Sequence, residues 1–366
     1  MINRMEKSIF GSNTRIGEIL QQLSVVPWFK GYIEQIPPEF ISMFIESPES
    51  AVDVDVINET VVRVTLNNPG GRRLEKWQYY LAEPYPGIRL LSGNMTGLIR
   101  LDGIGMGYKD TKTSVIHYCA KGRCEIVTKD GTYAYMEPGV LCVESHKHKE
   151  KNMDFHGEEY EGVEIAFDLD AFDDERVSYL KSLGIDIEMM RDNYARDAEY
   201  YIGNVSDKLK AAEMELDSIM KSENPDTLTL FLMALRINNL VKTGEVTTLD
   251  SRFYLTQGQK SITEEIHNLL ISDIRHDITM EQLTDRFRIS SVSLNKYFKI
   301  AYGDTVNKYI HKYRMRAASG MLIETDDSVA DVAAAVGYDN QGKFSGAFKK
   351  IYNMGPLEYR RRNRAG

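Results

Sequence analysis

The chain has 366 residues, 42% apolar and 27% charged, which is more than one ordinary domain holds and comfortable for two. No apolar run is long enough to span a bilayer, the opening MINRMEKSIF lacks a signal-peptide core, and Cys119, Cys124 and Cys142 make an odd cysteine count, so a reduced, cytoplasmic protein is expected. The net charge of −9 divides unevenly: residues 258–366 hold 17 Lys and Arg against 13 Asp and Glu, and the rest hold 28 against 41, which argues against association driven by charge alone.

Residues 1–50 read as an arm of short helices packed on the next domain, because RIGEILQQLSVV and PPEFISMFIES have helical spacing and are broken by Pro27, Pro37 and Pro38. From 51 to 170 the texture is that of strands. VDVDVINETVVRVTL alternates apolar and polar residues, as does the stretch from Ser114 to Ser145, with turn signals at Lys121-Gly122, Asp130-Gly131 and Pro138-Gly139. Short strands at close spacing predict a sandwich or small barrel. Alternation turns several rings inward, and a ring-lined pocket suits a small organic ligand. The candidates are Trp77, Tyr80, Tyr108, His117, Tyr118, Tyr133 and Tyr135, with Arg123 for an anionic group. Plain core packing is the commoner use of such rings.

Other chemistry is weaker. His146, His148 and Glu150 are too closely spaced for a facial metal set, although His156 follows, and no metal or cofactor is expected. The glycine-rich 103–107 stretch has no Lys after it and reads as a loop. The cysteines lack ligand spacing and read as core, and no nucleophile–base–orienter set is present.

Residues 171–245 return to helical spacing. Leu209, Ala212, Leu216 and Ile219, then Leu228, Phe231, Leu232, Leu235 and Leu240, predict an antiparallel helical pair turning at Asn224-Pro225. Its apolar faces cover the strand domain, pair with a second subunit, or both. Residues 246–260 form a linker, and Ser261 with Glu264 reads as the cap opening the first helix of a last domain, 261–366. The fold class is α+β.

That last domain contains one pattern twice. Met280, Leu283, Phe287 and Ile289 match Val329, Val332, Val336 and Tyr338; after one inserted residue, Leu294, Phe298, Lys299, Tyr302 and Tyr309 match Phe344, Phe348, Lys349, Tyr352 and Tyr359. Hydroxyl caps at Thr279 and Ser328 open each copy, a turn follows at Arg288 or Gly337, and a second helix of about three turns begins near Ser290 or Asp339. Each copy is a helix-turn-helix, whose second helix suits the DNA major groove. The outward face of the first such helix carries Val292, Asn295, Lys296 and Lys299, able to meet a thymine methyl, adenine, guanine or phosphate. That of the second carries Gln341, Gly342, Ser345, Gly346 and Lys349, with Lys343, Lys349, Lys350 and Arg360 available for phosphates.

The paired units, the joining helix and the run GYDNQGKFSGAFKKIYNMGPLEYR resemble the DNA-binding domain of the AraC/XylS family of transcription regulators. KDGTYAYMEPGVLCV is loosely similar to the cupin-like barrel found ahead of that domain. The resemblance implies two helix-turn-helix units braced by a helix near 305–323, an effector-binding barrel at 51–170, a dimerising pair at 171–245, and promoter DNA, a small-molecule effector, RNA polymerase and a second copy as partners. Activation is the commoner outcome in the family. Asn353, Gly355 and Gly346 depart from its pattern, the last weakening base reading by the second unit. The competing readings are a metal oxygenase or methyl-transfer repair protein with DNA binding attached, and an architectural DNA protein.

Overall fold

The computed structural model describes residues 26, 28, 29, 51–67, 76–96, 112–127, 131–145, 154, 155, 159–195, 201–248 and 254–364. They fall into two compact units, one drawn from 1–128 and 135–251, the other from 129–134 and 252–366. Tyr108, His146, His148, Glu150, His156 and nearly all of the predicted N-terminal arm lie outside the described residues.

The first unit is built from strands β1 (Ala51–Val56), β2 (Val61–Asn67), β3 (Lys76–Tyr85), β4 (Ile88–Thr96), β5 (Thr113–Lys121), β6 (Cys124–Val127), β7 (Tyr133–Met136), β8 (Val140–Ser145), β9 (Asp154–Phe155), β10 (Glu159–Asp168), β11 (Tyr201–Val205) and β12 (Val246–Thr248). Strand β7 begins among the residues of the second unit. Nine strands form one sheet in the order β1-β2-β3-β4-β10-β5-β8-β11-β12, and β6 pairs separately with β9. Among the described residues this order has two ends, at β1 and β12, so the sheet is open and the expected closed barrel is not formed. The alternation that suggested a barrel fits an open two-faced sheet equally well.

Helices α1 (Asp174–Ser182), α2 (Ile187–Ala195), α3 (Asp207–Met220) and α4 (Thr227–Lys242) follow. The segment expected to be wholly helical therefore contains β11, which pairs with β8. Helices α3 and α4 bury Leu209, Leu216, Leu230 and Ile237 in one core with Tyr80, Leu90, Ile116, Tyr118 and Ile165 from one sheet face. The stripe of α4 is rotated from the expected one: Phe231 and Leu240 are buried, but Leu228 and Leu232 are 62% and 52% exposed. Val26 and Phe29 pack against Val62 and Leu81. Phe155 of β9 meets Tyr160 edge-on at 4.5 Å.

The second unit opens with β13 (Tyr254–Leu255), paired with Ala134 and Tyr133, and continues through α5 (Gln257–Ser272), α6 (Met280–Phe287), α7 (Ser291–Tyr302), α8 (Val306–Glu324), α9 (Val329–Ala335), α10 (Gln341–Tyr352) and α11 (Pro356–Arg364). Helix α5 starts earlier than expected. Its capping box is Thr256 with Gln259, not Ser261 with Glu264, which lie inside the helix. The box at Thr279–Gln282 forms as the spacing predicts, and Ser328 caps α9 through the Asp331 N–H.

The duplication is visible in three dimensions. Phe298, Tyr302 and Tyr309 form a ring triangle with centroids 4.6, 5.3 and 5.1 Å apart, and Phe348, Tyr352 and Tyr359 repeat it at 4.5, 5.3 and 4.9 Å. Helix α8 contributes Val306 to the first core and Met315, Ala318 and Leu322 to the second. Buried Arg314 ties α8 to the chain before α6, donating to Ile274 O at 2.7 Å, His276 O at 3.2 Å and Asp277 Oδ1 at 2.6 Å.

Each copy uses two left-handed residues: Arg288 (φ 50°) and Gly303 (φ 82°) in the first, Gly337 (φ 82°) and Asn353 (φ 56°) in the second. Glycine and non-glycine exchange positions between the copies. At Gly337 a Cβ would lie 2.6 Å from Arg275 O, so that position admits only glycine without movement.

Candidate nucleic-acid interface

Ser290 caps α7 by accepting from Ser293 N at 3.1 Å, and Asn340 caps α10 by accepting from Lys343 N at 2.9 Å. Each cap satisfies an amide that would otherwise be unpaired and sets where its helix begins. Helix α7 buries Leu294 and Phe298, and α10 buries Phe344 and Phe348. Turning those residues inward leaves the opposite sides to solvent. On α7 these carry Val292, 78% exposed, with Lys296 and Lys299 also exposed. On α10 they carry Gln341, Gly342, Lys343, Gly346, Lys349 and Lys350. A Cβ at Gly346 would meet nothing within 4 Å, so the middle of that face is bare backbone open to close approach.

Two expected contact residues, Asn295 and Arg360, have other partners. Asn295 is half-buried, and its Oδ1 accepts the backbone N–H of Val306 at 3.2 Å. Ser345, its counterpart on α10, is also half-buried. Arg360 turns back on the protein, donating from Nε to Leu322 O at 2.9 Å and from Nη2 to Asp327 O at 2.5 Å. Arg364 donates to Ile323 O at 2.8 Å and to Thr325 O, and pairs with Asp326 at 2.6 Å. These two guanidiniums satisfy carbonyls at the end of α8 and beyond it. Nothing in the sequence marked Arg360 or Arg364 for that work, because their partners lie roughly forty residues upstream.

The expected ligand-binding residues of the first unit do not converge. Tyr80 and Tyr118 point to the helix-covered face of the sheet, where they join the core under α3 and α4. Trp77 and His117 lie one residue out of phase and face the other side. There His117 Nε2 meets Tyr160 Oη at 2.5 Å. Tyr135 donates to buried Glu125 at 2.7 Å. Arg123 pairs with Glu137 at 2.5 Å, which weakens its case as an anion receptor. Tyr133 belongs to the second unit, where it donates to Gln257 and lies under Lys260, 4.2 Å from the ring centroid.

One residue of the first unit escaped the sequence reading. Glu213 on α3 is 1% exposed, and among the described residues neither carboxylate oxygen has a hydrogen-bond partner. Burial pushes its carboxyl up to about 8, and its charge adds to the burial that raises Tyr118 to about 12. The available signal was its place four residues after Leu209, inside the apolar stripe rather than opposite it. The three cysteines are buried and unbridged, and burial raises the Cys119 thiol to about 12, which keeps it protonated and inert. Among the described residues no group of three His, Cys, Asp or Glu could hold a metal ion, and no helix is long and apolar enough to cross a membrane.

Residues 283–362 match the family described as helix-turn-helix domain. The chain is 35% identical over 83 residues to the xylose operon regulatory protein of Escherichia coli (strain K12), covering 23% of this chain and 21% of that protein. It is 28% identical over 106 residues to the uncharacterized HTH-type transcriptional regulator YtdP of Bacillus subtilis (strain 168), covering 29% of this chain and 14% of that protein. With the HTH-type transcriptional activator RhaR of Enterobacter sp. (strain 638) it shares 22% identity over 152 residues, 42% of this chain and 52% of the relative. The chain thus spans about half of these relatives' length or less. Among solved structures, the C-terminal domain of AraT, a response regulator from Geobacillus stearothermophilus, is 31% identical over 27% of this chain and 84% of that one, with a TM-score of 0.26.

Proposed function

Because the C-terminal unit is an AraC/XylS-type helix-turn-helix domain, we propose that the whole chain is a sequence-specific, DNA-binding transcription regulator. One observation carries the reading: two helix-turn-helix copies share α8, and the second helix of each turns a polar, solvent-exposed face outward. In this reading α7 meets bases through Val292 and Lys296 and a phosphate through Lys299. Helix α10 contributes Gln341 and Ser345, with Lys343, Lys349 and Lys350 on phosphates. The bare strip at Gly342 and Gly346 favours an α10 that positions the protein more than it reads.

The first unit receives a small-molecule effector. Support comes from Glu213, whose unpartnered buried carboxyl suits a ligand presenting a hydrogen-bond donor or a positive charge. An effector acts only through different affinity for the DNA-competent and incompetent arrangements. The protein works in the cytoplasm as a homodimer, for which Leu228 and Leu232 supply exposed apolar surface on α4. Activation through RNA polymerase is the proposed outcome, in keeping with a relative named as an activator.

The test is selection of duplexes by the full-length protein from a random-sequence pool at fixed salt. A defined consensus is expected, and mutation of Lys296 to Ala relaxes one of its positions by about 1–3 kcal/mol. Recovery of unselected sequence at every salt concentration refutes the proposal.

A further inference from the structure

Five helices of the second unit are capped in the ordinary way, by the side chain of their own N-cap residue: Thr256, Thr279, Ser290, Ser328 and Asn340. Helix α8 is different. Its N-cap residue, Thr305, makes no side-chain cap, although its backbone is in the usual extended conformation. The acceptor is borrowed from another helix: Asn295 Oδ1, eleven residues back on α7, takes the Val306 N–H at 3.2 Å. Val306 is 1% exposed, so this amide has little access to water, and the carboxamide oxygen is aimed into the protein.

The second copy meets the same position by other means. Fifty residues on, Asn295 becomes Ser345 and Val306 becomes Pro356. Proline has no N–H, and its fixed φ suits the first position of a helix. Helix α11 therefore has no amide there to satisfy, and Ser345 has no such cap to provide.

We propose that Asn295 is a positioning residue that locks α7 to the start of α8, and that base reading by the first unit falls to Val292 and Lys296. This rests on the DNA-binding reading above. Reading adenine requires a carboxamide to present its oxygen and nitrogen together to the base edge. Asn295 reaches that pose only by releasing the Val306 amide, at a penalty of about five-fold or more in equilibrium. Lys296 and Val292 carry no such obligation: both are exposed on the face beside it.

Two measurements on the full-length protein decide the matter. The first is a thermal double-mutant cycle of Asn295→Ala and Val306→Pro. Thr305, at ψ 157°, is already in the backbone region that precedes proline. Asn295→Ala alone lowers the midpoint of the second unit by about 4 °C, and this loss disappears in the Val306→Pro background. Should Val306→Pro not fold, Asn295→Asp, which keeps the acceptor, replaces it and retains the wild-type midpoint. Equal losses in both backgrounds, or an Asp variant as unstable as the Ala variant, overturn the proposal. The second measurement is duplex selection from a random pool. Asn295→Ala weakens binding to all sequences by a similar factor and leaves the consensus unchanged, whereas Lys296→Ala changes it. A consensus altered at one position by Asn295→Ala refutes the assignment while leaving the regulator reading intact. A wild-type protein that enriches no sequence overturns the DNA-binding reading, and this assignment with it.

Discussion

Replacing Glu213 by Gln should make the first unit more stable, and increasingly so as pH rises. The carboxyl is buried without a partner, and its proton affinity in the folded chain, about 8, stands above the ordinary 4.5. A group whose folded value is raised contributes its full stability below the unfolded value and loses it as pH climbs through the folded one. The gap from 4.5 to about 8, at 1.36 kcal/mol per tenfold step, amounts to about 5 kcal/mol. That is a large part of the margin an ordinary domain possesses. Gln cannot ionise, so the difference in unfolding free energy between Glu213→Gln and wild type should be small at pH 5 and grow by several kcal/mol by pH 9. Both tryptophans of the chain, Trp28 and Trp77, lie in the first unit, so urea unfolding followed by their fluorescence reports on that unit alone. Parallel stability–pH curves for the two proteins would falsify the account of Glu213 as a buried, unsatisfied acid.

Other outcomes follow from the second unit. Arg288→Gly and Asn353→Gly should each raise stability in denaturant titrations by about 0.5–1 kcal/mol, because both residues hold left-handed backbone that glycine adopts without steric cost. Gly337→Ala should lower it by about 2 kcal/mol or more, since a left-handed φ of 82° is combined with a Cβ 2.6 Å from Arg275 O. Arg360→Ala should lower thermal stability by about 1–3 kcal/mol through two stranded carbonyls. Lys350→Ala should leave stability unchanged and reduce the salt dependence of DNA binding by about one phosphate contact.

The duplicated unit was legible because its signals are local. Caps at Thr279 and Ser328, apolar residues three and four apart, and a permissive turn each act within a few residues, and the structure forms all of them. Arg288 stands at the turn where the second copy has Gly337, and it takes the left-handed conformation that position demands. What stayed hidden depends on contacts distant in the chain. The obligation of Asn295 to Val306 appears only when α7 meets α8, and that of Arg360 to Leu322 only when α11 packs beside α8. Strand alternation puts neighbours such as His117 and Tyr118 on opposite faces, so the four rings grouped from the sequence divide: Tyr80 and Tyr118 face the helices while Trp77 and His117 face away. Period two cannot say whether a sheet closes, which is why an open sheet stands where a barrel was expected. The rotated stripe of α4 reflects a similar ambiguity, for ten of its 16 residues are apolar and admit more than one inward face.

Helix α8 lends side chains to both cores, with no hinge between them. In the proposed DNA-binding reading, two heads mounted on one continuous shaft cannot adjust their phase independently. Inserting a single base pair between the segments they touch would rotate one target by about 34° and shift it by about 3.4 Å. A pair of heads on a flexible tether would absorb that change, but here one head must let go or the duplex must be untwisted. Spacing between the two contacted segments would then be selected as strictly as the bases themselves.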